Sequence, residues 1–152
     1  MRRVVTRLAD GGSEDHDTMD EAGFTAAENA GAFALTWEAH GLRYGLPIAL
    51  EDDLRAGRVV IANLSRAMIP QLIERYTDAL VVAVSAAPDV IERRLAGRGR
   101  ETAASIQKRI ERRVTDRLPA STVRIDNSGE LSVAGSQFVQ LLEDLTRQAE
   151  RA

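Results

Sequence analysis

The chain has 152 residues, a formal net charge of −3, one tryptophan and no cysteine. The missing cysteine rules out disulfides, thiolate metal sites and a cysteine nucleophile. With 44% hydrophobic and 28% charged residues, the composition is that of an ordinary globular domain spanning 1–152. No apolar run approaches the ~20 residues of a membrane span, and Met1-Arg2-Arg3-Val4-Val5 is too short in its apolar part for a signal peptide. The expectation is a cytoplasmic protein with no membrane partner.

In chain order, Arg3 to Arg7 predicts a short strand entering a polar loop with Gly11, Gly12, Ser13, Glu14, Asp15 and His16. One histidine among exposed acids is expected to be solvated, and no metal site is expected. Thr18 with Glu21 has the spacing of a capping box, opening a helix to about Asn29 before Gly31. Phe33 to His40 alternates as a strand with Phe33, Leu35, Trp37 and Ala39 on one face. Gly41 turns it into a return strand, Leu42 to Gly45, and Pro47 closes the hairpin. Trp37 suits either a core position or a platform for a ligand.

Leu50 to Ala56 predicts a short helix stopped by Gly57. Val59 to Ala62 reads as a buried strand ending in Asn63-Leu64-Ser65-Arg66, and the carboxyl ends of such strands are where open α/β sheets bind ligands. Met68 to Tyr76 is the next helix. Leu80 to Val84 reads as a strand buried on both faces. It is followed by a helix from Pro88 with Val90, Ile91 and Leu95 at helical spacing, stopped by Gly97 and Gly99.

A second helical segment starts near Thr102. Residues 92–113 hold eight basic side chains (Arg93, Arg94, Arg98, Arg100, Lys108, Arg109, Arg112, Arg113) against three acidic ones, a local +5 in an acidic chain. Clustered arginines suit phosphate, which they grip bidentately; the alternative is a solvated helix face. Thr122 to Asp126 predicts a last strand, then Asn127-Ser128-Gly129 and an amphipathic helix carrying Leu131, Val133, Phe138, Leu141, Leu142 and Leu145. Three buried-type strands, each followed by a helix, predict an α/β fold with a parallel sheet. Nucleic acid is not an expected partner, because the chain is acidic, poor in aromatics and without a nucleic-acid motif.

Taken together, Thr6-Arg7, the Phe33 to Tyr44-Gly45 hairpin, Asn63-Leu64-Ser65-Arg66, the arginine-rich corner and Asp126-Asn127 resemble the guanylate-kinase-like branch of the P-loop nucleoside monophosphate kinases. Within it the chain is similar to the ribose 1,5-bisphosphate phosphokinases of phosphonate breakdown, which use ATP to make 5-phosphoribosyl 1-diphosphate. The resemblance implies ATP and Mg2+, a sugar phosphate as the small-molecule partner, an acceptor-binding subdomain over about 7–47 and a lid over about 97–113. It further implies Arg7 and Tyr44 on the acceptor phosphate, with Asn63, Ser65 and Arg66 beside them. Arg98, Arg100 and Arg109 are implied as lid arginines that close on the transferring group, and Asp126 and Asn127 as the loop beside adenine. Guanylate kinases carry a glutamate for guanine where this chain has Leu35, and an aspartate where it has Asn63.

One departure concerns catalysis. Phosphoryl transfer in this fold depends on a GxxxxGK[ST] loop, and the 152 residues contain none. The one lysine, Lys108, follows no glycine. The expectation is that the chain starts at an internal methionine of a longer protein and lacks the first strand and the loop. That strand is central, so Val59 to Ile61 and Leu80 to Val84 should be left exposed. A non-catalytic guanylate-kinase-like binding module is the alternative reading.

Overall fold

The computed structural model describes residues 1–7, 15–96 and 118–151, the side chains of Leu95 and Ala96 excepted. They form two compact units, Met1–Thr77 with Leu145–Ala152, and Asp78–Asp144. The lid stretch, with Arg98, Arg100, Lys108 and Arg109, lies outside the described residues.

In the first unit, β1 (Val4–Val5), β2 (Asp17–Thr18), β3 (Phe33–Ala39) and β4 (Leu42–Pro47) form a sheet in the order β2-β1-β4-β3. β1 runs parallel to β2 and antiparallel to β4, with Val5 opposite Tyr44. β3 and β4 form the expected hairpin, with Trp37 opposite Tyr44. His40 and Gly41 turn it with φ of 55° and 73°, the left-handed pair that matches the twist of two strands. β4 runs on through Pro47, two residues past the expected end.

The expected alternation of β3 fails at its start. A register shift between Phe33 and Leu35 puts an extra residue at Ala34, as in a bulge. Ala34 and Leu35 both enter the core with Trp37, Leu46, Leu50 and Met68. Phe33 instead lies against Gly45 and stacks on Phe24 of α1 (Glu21–Asn29), the ring centroids 4.7 Å apart. Arg43 sits over the Phe24 ring, 4.4 Å from its centroid, and is bonded to Glu28 and to Thr25 Oγ1 at 2.8 Å.

α1 ends at Asn29 as expected, but its cap is Asp20, whose Oδ1 accepts from the Gly23 amide at 2.7 Å. Thr18 pairs in β2, so it cannot serve as the cap. α2 is Leu50–Arg55; a 3-10 turn at Arg66–Met68 leads into α3, Ile69–Arg75.

Val59 to Ala62 forms no strand. β propensity is realised only through a paired, half-buried ladder, and this run has none among the described residues: Val59 is 39% exposed and Ile61 46%.

In the second unit, β5 (Val82–Ser85) and β6 (Val123–Asp126) pair in parallel, Val82 opposite Val123 through Ser85 opposite Asp126. These are two of the three parallel strands expected. With no further ladder on this pair among the described residues, β5 is not buried on both faces, and Val84 is 49% exposed. α4 spans Pro88–Ala96 and α5 spans Leu131–Ala149. Leu131 and Val133, expected on the packed face of α5, are 72% and 56% exposed, while Ala134, Phe138, Leu141 and Leu142 lie inward of them.

Candidate functional site

The acceptor residues anticipated from the sequence, Arg7, Tyr44, Asn63, Ser65 and Arg66, all belong to the first unit. β1 and β4 pair at Val5 and Tyr44, and directly opposed residues share a face of a sheet. Tyr44 and Trp37, opposed across the hairpin, stack with centroids 5.3 Å apart and planes 6° from parallel. Trp37 is buried and Tyr44 half-buried. The indole is a core side chain, in the cluster with Leu46 and Met68, and it also stacks on the tyrosine.

Arg3, two residues before Val5, stands over both rings, its Cζ 5.2 Å from the Tyr44 centroid and 5.8 Å from that of Trp37. This cation–π placement fixes a long side chain against an aromatic surface. Arg3 was not among the residues anticipated. The signal available for it was its place on the Val5 face, which becomes informative only once the Val5–Tyr44 register is known.

Arg7 is exposed in the bend after β1. Its neighbour Thr6 is tied to β4, donating its amide to the Arg43 carbonyl at 3.0 Å and accepting from the Arg43 amide at 2.9 Å through Oγ1. These bonds hold the chain against the hairpin up to the residue before Arg7.

Arg2 and Arg43 are engaged with carboxylates. Arg2 contacts Asp15 and Asp17 at 2.9 Å each, and Arg43 pairs with Glu28 and, at 3.6 Å, with Glu21. His16, expected to be solvated, is buried, and its carbonyl accepts from Arg2 Nη2 at 3.2 Å. The pairing of Asp17 with Val4 draws it in.

Asn63 is exposed, and Ser65 and Arg66 are half-buried. Leu64 packs on the core cluster, and the Ser65 carbonyl accepts from the Met68 amide at 2.9 Å, so the stretch is anchored without a strand.

Nearby, Glu51 Oε1 accepts from Arg75 Nη2 at 2.6 Å and from the Tyr76 hydroxyl at 3.0 Å. The Arg75 hydrogen bond, followed by that of Tyr76, holds the Glu51 carboxyl below its ordinary value. The same bond raises Arg75. Tyr76 is also raised, chiefly by burial.

In the second unit, Asp126 and Asn127 begin a tightly bonded turn. Asp126 Oδ1 accepts from the Ser128 amide at 3.0 Å and the Ser128 hydroxyl at 2.5 Å, and Ser128 Oγ accepts from the Ala87 amide at 2.7 Å. Arg94 Nη1 donates to the Asn127 carbonyl at 2.7 Å and Nη2 to that of Gly129 at 3.3 Å. The Asn127 amide donates to the Ser85 carbonyl at 2.6 Å, while its side-chain Oδ1 is buried without a partner. An acceptor left in that condition costs free energy unless a donor reaches it.

No group of three or more metal-binding side chains occurs among the described residues, and no described helix is long and apolar enough to cross a membrane.

No family model matches the chain. The guanylate kinase of Anaplasma phagocytophilum superposes with a TM-score of 0.72 over 95% of this chain and 74% of its own, at 18% identity, which establishes the fold. Curated relatives are nearer in sequence. The ribose 1,5-bisphosphate phosphokinase PhnN of Brucella melitensis is 45% identical over 146 residues, 95% of this chain and 76% of that protein. Its namesake in Chelativorans is 48% identical over 143 residues, 93% and 68% of the respective lengths. That of Burkholderia pseudomallei is 44% identical over 147 residues, 95% and 79%. Identity of this order, sustained across nearly the whole chain on a guanylate-kinase fold, places it in the ribose 1,5-bisphosphate phosphokinase family of phosphotransferases.

Proposed function

We propose that this chain serves an ATP-dependent kinase that converts ribose 1,5-bisphosphate to 5-phosphoribosyl 1-diphosphate in phosphonate breakdown. The observation that carries the reading is its 45% identity over 95% of its length to a ribose 1,5-bisphosphate phosphokinase. In the reaction an oxygen of the 1-phosphate attacks the terminal phosphorus of ATP, the bond to the bridging oxygen breaks, and ADP leaves. Arg7 and Tyr44, in an acceptor-binding subdomain over about 7–47, hold an acceptor phosphate. Asn63, Ser65 and Arg66 border the same site. Asp126 and Asn127 flank the adenine, and Arg98, Arg100 and Arg109, on a lid over about 97–113, neutralise charge on the moving group. The buried Leu35 offers no acceptor for a guanine base, which supports a base-free substrate.

The donor half is not supplied by these residues. There is no GxxxxGK[ST] loop in the 152 residues, so the lysine for the terminal phosphates and the hydroxyl that ligates Mg2+ are not among them. The chain's own groups do not supply the loop that would hold Mg2+ and the terminal phosphates, and no step is assigned to the ion. Calorimetric titration tests the reading: the chain should bind ribose 1,5-bisphosphate and not guanosine monophosphate, and the reverse order would overturn it.

A further inference from the structure

We propose that Trp37 is the residue that selects a base-free acceptor: its indole fills, from the protein's own chain, the place beside Tyr44 that the base of a nucleoside monophosphate would need. The inference rests on the acceptor reading above, which puts Tyr44 on an acceptor phosphate, and extends it to what is excluded. Trp37 stands opposite Tyr44 across the hairpin, and their rings stack with centroids 5.3 Å apart and planes 6° from parallel. Aromatic side chains hold flat ligand rings in the same offset, parallel way, and here the ring held is the protein's own. Indole and purine are both flat fused bicycles of nearly the same outline, so the one stands in closely for the other.

The surroundings hold the indole where it is. Further along the same ladder Leu35 stands opposite Leu46, and both are buried in one cluster with Trp37, Leu50 and Met68. The Arg3 guanidinium lies over both stacked rings, 5.2 Å from the Tyr44 centroid and 5.8 Å from that of Trp37. Trp37 is only 9% exposed, so a base stacking on Tyr44 from this side would have to drive the indole out of the core and forfeit its burial. A ribose phosphate without a base makes no such demand. Selectivity of this kind comes from a clash built against the wrong ligand and needs no added contact to the right one.

The experiment titrates the 152-residue chain, Trp37→Ala and Trp37→Leu with ribose 5-phosphate and adenosine monophosphate, following heat, with circular dichroism as the check on folding. Adenosine monophosphate is the same ribose 5-phosphate carrying a purine, so the ratio of the two affinities isolates the base. The unaltered chain should bind ribose 5-phosphate at least tenfold more tightly than adenosine monophosphate. Trp37→Ala opens a void of purine outline, and apolar voids take up flat apolar ligands. It should raise adenosine monophosphate affinity tenfold or more relative to ribose 5-phosphate, and free indole, by refilling the void, should take that gain away. Trp37→Leu leaves part of the void filled and should gain less, and it carries the comparison if the alanine variant does not fold. A ratio within twofold of the unaltered chain's in the folded variants overturns the inference, since equal losses for both ligands would mark Trp37 as a core residue alone. An unaltered chain that binds adenosine monophosphate as tightly as ribose 5-phosphate overturns it too. If the unaltered chain binds no ribose phosphate at all, ribose 1,5-bisphosphate included, the acceptor reading itself fails and this inference falls with it.

Discussion

The Phe33 ring occupies the space beside Gly45 that any Cβ would need, its Cδ1 2.5 Å from where that atom would stand. Because Phe33 is also stacked on Phe24, itself fully buried, moving the ring aside would cost that stack. Gly45→Ala should therefore destabilise the fold by about 1–3 kcal/mol, the usual cost of overpacking. Chemical denaturation followed by Trp37 emission checks this. An unchanged midpoint would show that the ring can move aside.

Asp20→Ala should cost about 1 kcal/mol, because it removes the side chain that accepts from the Gly23 amide at the start of α1. Thr18→Ala should cost little by comparison. A pair of urea melts distinguishes the two, and a larger loss at Thr18 would restore the capping box that the sequence spacing suggested.

Glu51 gives the fold a pH dependence. Its carboxyl is held below the ordinary 4.5 by Arg75, then by Tyr76, so the folded state binds its proton less readily than the unfolded chain. The contribution is fully present above the ordinary carboxylate value and is lost as pH falls through the depressed one. Glu51→Gln should flatten this component of the stability profile below pH about 4.5. Denaturation midpoints measured across the acid range would refute the assignment if the two proteins lose stability in parallel.

Phosphotransfer by the 152-residue chain should be very slow, far below the roughly 1–100 s⁻¹ of kinases, since the phosphate-cradling loop is not in it. A coupled ADP-release assay settles the matter. In a chain extended by a strand and a GxxxxGK[ST] loop, Arg98→Ala or Arg109→Ala should lower turnover tenfold or more, with each factor of ten being about 1.4 kcal/mol of barrier. Unchanged turnover in both would leave these arginines as a solvated helix face.

What the sequence disclosed depended on how far apart the determining residues lie. The β3–β4 hairpin was legible because its alternation and its His40–Gly41 turn are local. The bulge at Ala34 was not, since it follows from Phe33 turning to meet Phe24 nine residues earlier. Val59 to Ala62 has the composition of a buried strand, yet without a paired neighbour among the described residues it forms none. Val59, Ile61, Leu80 and Val84 are exposed, as expected for these runs. The place of Arg3 over Trp37 and Tyr44 was not legible, because those rings lie some forty residues away in the chain.

The two-residue turn at His40–Gly41 also bears on the order in which the first unit assembles. β3 and β4 meet across a minimal loop, whereas β1 reaches β4 only after some forty residues of intervening chain have been closed, at a higher entropic cost. The hairpin should be formed in the folding transition state, with β1 added afterwards. Conservative truncations in β3 and β4 should then slow refolding, while Val4→Ala should mainly speed unfolding. The aromatic stack would thus exist before Arg3 arrives to cover it.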